Sequence, residues 1–141
     1  MSLDFDSARL PNNALTSEHH EWRAQLRRFF DREVIPYAEE WDENGAIPDE
    51  LWPKSAAVGI LGLGFPEEFG GITEGIDIWH SIILNEEMAR IAVGGIAATL
   101  MVHGIGLPPV INFASEAIKH LPPPPAPSRA KLISLPLPLI H

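Results

Sequence analysis

Glu50–Gly71, ELWPKSAAVGILGLGFPEEFGG, joins a short helix, a glycine stop, an apolar turn and a double-glycine exit within one segment. Leu51, Ala56 and Val58 predict an apolar side for the helix, and Gly59 stands where a helix ends in the left-handed conformation. Pro53 falls in the first turn, where a missing N–H does least harm. Gly62 and Gly64 flank Leu63 in a run with almost no polar side chains, so this backbone is expected to be buried or closely approached. Phe65-Pro66-Glu67-Glu68-Phe69 then leads into Gly70-Gly71, a turn that demands unusual backbone angles.

Outward from this segment the chain reads as helices. Thr16 or Ser17 can cap a helix with Glu18 and Glu21 in its first turn. Trp22, Leu26, Phe30, Val34, Tyr37 and Trp41 recur at helical spacing, Pro36 should kink that helix near its end, and Asn44-Gly45 closes it. A third helix is predicted from about Ile76 to Ala92, burying Trp79, Ile82, Ile83 and Met88. The uncharged run Ile96–Val102 makes a fourth. Pro108-Pro109 should restart the chain at a helix N-terminus, with Val110, Phe113, Ala114, Ala117 and Ile118 facing inward. The fold class is all-α, a helical bundle.

Composition divides the chain. All 19 acidic residues lie at or before Glu116, whereas residues 121–141 hold Arg129 and Lys131, no acid, and seven of the 14 prolines. Proline removes a donor and breaks regular elements, so this stretch is expected to be an irregular proline-rich tail, with Pro122–Pro125 in polyproline II. The expected organisation is an arm over 1–14, a helical domain over 15–120 and the tail over 121–141. A net charge of −9 without a basic patch argues against nucleic acid. The absence of cysteine fits a reducing compartment, and Asp4 and Asp6 near the start suit neither a secretory signal nor a transit peptide, so a cytoplasmic protein is expected. No apolar run is expected to reach the roughly 18–20 residues of a membrane span.

The candidate chemistry is thin. Gly62-x-Gly64 and Gly104-x-Gly106 lack a third glycine and a strand–turn–helix setting, which argues against a dinucleotide loop. His80, His103 and His120 have no ligand at i+3 or i+4, and His19-His20 are adjacent near a helix start; surface or capping roles account for them, and no metal site is expected. Glu86-Glu87 could pair for acid–base work, but Glu86 stands four residues before Arg90 and an ordinary helix ion pair explains it better. The serines lack a nucleophile-elbow context.

Four stretches carry a family resemblance. GILGLGFPEEFGG resembles the signature near the start of the acyl-CoA dehydrogenases, flavoenzymes that oxidise acyl thioesters. Phe30–Trp52 is similar to that family's first helix and following turn, Ile83–Ile91 to its next long helix, and Val102–His120 to the pair after that. The likeness runs from about Leu15 to His120. It implies an acyl-CoA substrate, FAD, an electron-transfer flavoprotein as acceptor and a homo-oligomer. In the family the uncharged fourth helix lies beneath the acyl chain, which puts Ala97, Ala98 and Met101 forward as substrate-binding positions; small, flexible apolar side chains suit an aliphatic ligand. The alternative for Ile96, Ala97, Leu100 and Met101 is plain core. His103 coincides with a position often polar in the family, with no role attached.

Beyond His120 the resemblance fails, apart from Lys131–Leu135, which resembles the start of the family's next strand. The Thr-Glu-Pro and Gly-Ser-Asp motifs expected there are absent, a pattern like a disturbed reading frame. The family's β-domain, with most flavin contacts, and its C-terminal helices, with the catalytic glutamate, have no counterpart in this sequence. No catalytic or cofactor-binding residue is therefore named, and the chain alone is expected to be inactive. The alternative is a small helical interaction or scaffold protein whose Pro122–Pro127 serves as a polyproline ligand.

Overall fold

The structure is a computed structural model and describes residues 3–119. The expected proline tail and its polyproline II run lie outside the described residues. Six helices follow one another: α1 Ser17–Glu33, α2 Ala38–Asn44, α3 Leu51–Val58, α4 Ile78–Met88, α5 Gly94–Phe113 and α6 Glu116–Lys119. Single 3-10 turns cover Asp6–Ala8, Ile35–Tyr37 and Glu67–Phe69. Among the described residues the only β pairing is an isolated parallel bridge between Leu63 and Ile72, so the fold is all-α.

The long helix α1 begins where Thr16 adopts an extended conformation and its N–H donates to Nδ1 of His19 at 3.0 Å. It breaks at Val34, and Pro36 sits in the 3-10 turn that leads into α2. The expected kink is thus a full break, because Pro36 has no N–H to continue the ladder. Gly45 (φ 67°) and Gly59 (φ 94°) close α2 and α3 in the left-handed region.

The core lies between α1 and α4 and is completed by α3 and α5. Leu26, Phe30, Val34, Ile83 and Leu100 are fully enclosed, joined by Leu51, Ile60, Leu61, Met88, Ile91 and Ile96. In α3 the inner side differs from expectation: Ala56 is exposed and Ser55 is fully buried beside the Leu51 line. Residues 51 and 55 are four apart and share one face, whereas 56 is turned a further 100° or so around the helix. Helix α4 is shorter than the Ile76–Ala92 prediction. Asp77 adopts an extended conformation and caps it, and Arg90 and Ile91 turn back onto the carbonyls of Glu87 and Met88 to end it.

The largest departure concerns the two prolines. Helix α5 runs through Pro108 and Pro109 and ends instead where Ala114 turns extended. The prolines remove two helix donors but fit the helical φ, and the expected restart is displaced to α6. Its predicted inner face is not inner: Phe113 is 87% exposed and Ile118 51%, because no described element packs over that end. As a single helix of 20 residues with mean hydropathy 1.5, α5 is also long and apolar enough by composition to cross a membrane, which corrects the expectation that no run reaches that length. One such helix is weak evidence for a span, and Ile96, Leu100 and His103 of α5 are buried in the core.

The Gly59–Ile72 loop folds back on itself. Gly64 N–H donates to the Ile72 carbonyl at 2.9 Å and Ile72 N–H to the Gly62 carbonyl at 2.8 Å. At Gly71 a Cβ would stand 1.9 Å from the Phe65 carbonyl oxygen, so no side chain fits without moving the backbone. Gly71→Ala is expected to destabilise the domain by about 3 kcal/mol or more. Chemical denaturation would check this, with the exposed Gly104→Ala, where a Cβ meets nothing within 4 Å, as the contrasting variant.

Candidate functional site

Helix α5 positions the three residues expected to line a substrate. Ile96, Leu100 and His103 form its buried line at spacings of four and three. Ala97 and Met101 are half-buried on the adjacent stripe, and Met101 packs against the core, while Ala98 is turned out to solvent. The structure therefore brings Ala97 and Met101 together along one edge of α5 and leaves Ala98 on its outer side.

A small cavity of about 50 Å³ lies elsewhere, lined by Ala56, Leu61, Gly62, Phe65, Phe69, Gly70, Gly71 and Ile72. His103 connects it to α5: its ring is buried and lies 6.1 Å from that of Phe65. Burial pushes the His103 pKa down, opposed by the backbone around Leu100 and Ile60, and its Nδ1 has no hydrogen-bond partner. This cavity does not admit a flavin. Pockets for ligands of that class are several hundred Å³, and the Gly64 N–H that would face a phosphate is spent on Ile72. Gly104 and Gly106 are inside α5.

Two clusters of polar side chains were not legible from sequence neighbours. In the first, Glu87 of α4 has a side chain with no exposed surface, and it meets Arg23 at 3.1 Å, Arg27 at 2.9 Å, Arg90 at 3.4 Å and Arg9 at 3.6 Å. The expected Glu86–Arg90 pair is replaced: Glu86 reaches Arg23 at 2.6 Å, and Arg90 turns to Asp31 at 2.8 Å. Arg27 also holds Asp6, which tethers the N-terminal arm, and Leu3 N–H donates to the Arg90 carbonyl. Burial pushes the Glu87 carboxyl up, but the hydrogen bonds and charges of Arg27, Arg23 and Arg90 outweigh it and hold the group ionised. A carboxylate so occupied is no general base.

In the second, Asp77 caps α4 through Trp79 N–H at 2.9 Å and His80 N–H at 3.3 Å. Its Oδ1 also lies 3.0 Å from Nε2 of His19 and 2.9 Å from Nδ1 of His80. Three potential metal-ligand atoms from His19, Asp77 and His80 thus fall within 4.8 Å of one another. No ligand type stands three or four residues after either histidine at the site; Asp77 stands three residues before His80, and His19 arrives from α1. Desolvation pushes the Asp77 carboxyl up, yet hydrogen bonds from His80 and His19 prevail and its pKa falls to about 2.

With the helical layout and the α5 edge in place, the comparisons decide the family. The model of the acyl-CoA dehydrogenase N-terminal domain matches residues 16–124. This chain belongs to the acyl-CoA dehydrogenase family. It is 38% identical over 109 residues to the mitochondrial long-chain specific acyl-CoA dehydrogenase of Sus scrofa, covering 77% of this chain and 25% of that protein. The corresponding protein of Rattus norvegicus is 37% identical over 101 residues, covering 72% and 23%. Among solved structures, an acyl-CoA dehydrogenase from Geobacillus kaustophilus superposes with a TM-score of 0.60 at 29% identity, covering 77% of this chain and 28% of that one. The chain spans about a quarter of the length of the curated relatives it matches. The family is one of flavin-dependent oxidoreductases.

The Glu87 cluster carries a pH signature. A carboxyl whose folded pKa is depressed contributes stability that is complete above its unfolded value, near 4.5, and is lost as pH falls through the folded pKa. Thermal unfolding between pH 7 and pH 3 should therefore show Tm declining below about pH 5. Glu87→Gln should cost about 3 kcal/mol at pH 7 and flatten that decline. A slope unchanged in the variant would show that other carboxyls carry the acid sensitivity.

Proposed function

We propose that these residues form the helical module on which the aliphatic chain of an acyl-CoA thioester rests, with the edge of α5 at Ala97, Ala98 and Met101 as its contact. The observation that supports this reading is the character of α5, which carries no charged residue from Gly94 to Phe113 and sets the half-buried Ala97 and Met101 along one edge, with the exposed Ala98 on the neighbouring outer side. Such an edge offers a methylene chain apolar surface and no hydrogen-bonding demand. Specificity there would rest on the length and branching of the acyl group. The thioester and nucleotide ends need polar partners that this edge does not supply.

For the whole family reaction a carboxylate base would be needed for the α-proton, a bound flavin would supply the hydride-accepting chemistry, and an electron-transfer flavoprotein would serve as its acceptor. Neither base nor flavin seat is proposed among residues 3–119, since Glu87 is enclosed by arginines and the cavity beside Phe65 is far too small for a flavin. The 141-residue polypeptide by itself is accordingly proposed to bind acyl chains weakly without oxidising them.

The test pairs two assays on the full chain. Incubated with FAD, palmitoyl-CoA and an artificial electron acceptor, it should show no turnover above the protein-free rate. Titrated with acyl-CoAs of increasing chain length, it should bind the longer ones more tightly, and Ala98→Glu should weaken that binding by about tenfold, the cost of setting a charge against a methylene chain. Because Ala98 is exposed, the variant is expected to fold normally. Turnover by the chain, or affinity independent of acyl length, would overturn the reading.

A further inference from the structure

The cluster of His19, Asp77 and His80 is more crowded than helix capping requires. Capping α4 uses the Asp77 carboxylate, the N–H groups of Trp79 and His80 and, in return, the His80 side chain on the Asp77 N–H; His19 is the member that capping does not need. Four nitrogens nevertheless converge on the one oxygen Oδ1: the two backbone N–H groups, His19 Nε2 and His80 Nδ1. A carboxylate oxygen has about two lone-pair sites, so it is oversubscribed. His80 Nδ1 lies 3.2 Å from the Asp77 N–H and 2.9 Å from Asp77 Oδ1. With the proton on Nδ1 the ring donates to the carboxylate; with the proton on Nε2 its one lone pair can serve the N–H or an ion.

We propose that His19, Asp77 and His80 form a binding site for a divalent first-row transition ion of the zinc type. Ligand atoms held by one tetrahedral Zn²⁺ at about 2.0–2.1 Å stand roughly 3.3 Å apart. The separations of 3.0 Å and 2.9 Å from Oδ1 are close to that figure, and with all three ligand atoms within 4.8 Å of one another the two imidazoles would draw together around the ion. Both imidazoles are buried, which holds the rings in place, while the Asp77 side chain is 49% exposed and leaves an approach for the ion and a water as fourth ligand. The donor set of two imidazoles and a carboxylate suits zinc and its neighbours rather than calcium or magnesium.

Thr16 provides the supporting contact. Its hydroxyl lies 3.0 Å from His19 Nδ1, and its backbone N–H lies 3.0 Å from the same atom. In one tautomer Nδ1 accepts the backbone N–H and Nε2–H donates to Asp77. In the other, Nδ1–H donates to the Thr16 hydroxyl and the Nε2 lone pair is free for a metal. Metal ligands commonly have their second ring nitrogen fixed in this manner. The ion would link the start of α1 to the start of α4, two elements 58 residues apart, and so stabilise the fold without touching the α5 edge.

The full chain, stripped of metal and titrated with Co²⁺ at pH 7.5, should bind one equivalent and develop the visible absorption of a four-coordinate ion. Zn²⁺ at about 100 times its Kd should raise Tm by roughly 10 °C. Asp77→Asn keeps a competent helix cap but loses the carboxylate, and His19→Gln keeps a polar side chain; each should weaken binding by about 100-fold or more. His20→Gln, at an exposed position, should change nothing. Co²⁺ should also broaden the imidazole NMR signals of His19 and His80 in the unaltered chain while sparing His20, a readout that needs no variant. Absence of saturable one-to-one binding would overturn the proposal. So would binding that survives both ligand substitutions, or broadening confined to other histidines.

Discussion

A carboxylate with no solvent around it is the constraint on which this fold turns. Glu87 is enclosed on α4, and an unpaired charge in that position would be prohibitively costly. It is tolerable only if α1 lies alongside with Arg23 and Arg27, one helical turn apart, on the side that also presents Leu26 and Phe30. The pairing of α1 with α4 is therefore held by apolar packing along its centre and by an arginine cage at one edge. The same cage draws in the N-terminal arm through Arg9 and Asp6, so residues ahead of the first helix are tied to the domain.

The second constraint is a backbone one. Between α3 and α4 the chain doubles back so tightly that Gly62 faces the Gly70 carbonyl and Gly71 faces that of Phe65. This brings Phe65 against His103 and thereby sets α5 over the loop. The apolar edge of α5 follows from that seating: Ile96 and Leu100 are used by the core, Ala97 and Met101 lie at its margin, and Ala98 faces outward. The exposed end of α5 and α6 shows where the described residues offer that edge no cover.

Local signals were legible wherever one residue's own geometry decides the outcome. Thr16 before α1, Gly45 and Gly59 after α2 and α3, and the Gly70-Gly71 turn all act through their immediate backbone. The misreadings share a different cause. Ala56 was taken as inner and Ser55 is, because polarity suggested one face and the position of α1 chose another. Pro108-Pro109 fit a helix start and a helix interior equally well in φ, and the choice between them is made by the elements around α5. Glu86 has the right spacing for Arg90, yet α1 supplies arginines that rearrange both pairings.

What the sequence by itself determined is the helical class, the glycine stops after α2 and α3, the glycine loop and, through its motifs, the family. These are short-range matters of capping, periodicity and steric freedom, written in residues a few positions apart. Only the tertiary structure decided that Glu87 is caged, that His103 is buried with a free ring nitrogen, and that His19 meets Asp77 and His80. Those arrangements join residues 58 to 64 positions apart. No local pattern encodes them, because what brings the side chains together is the burial of a shared apolar core, and the polar groups take whichever partners that packing delivers.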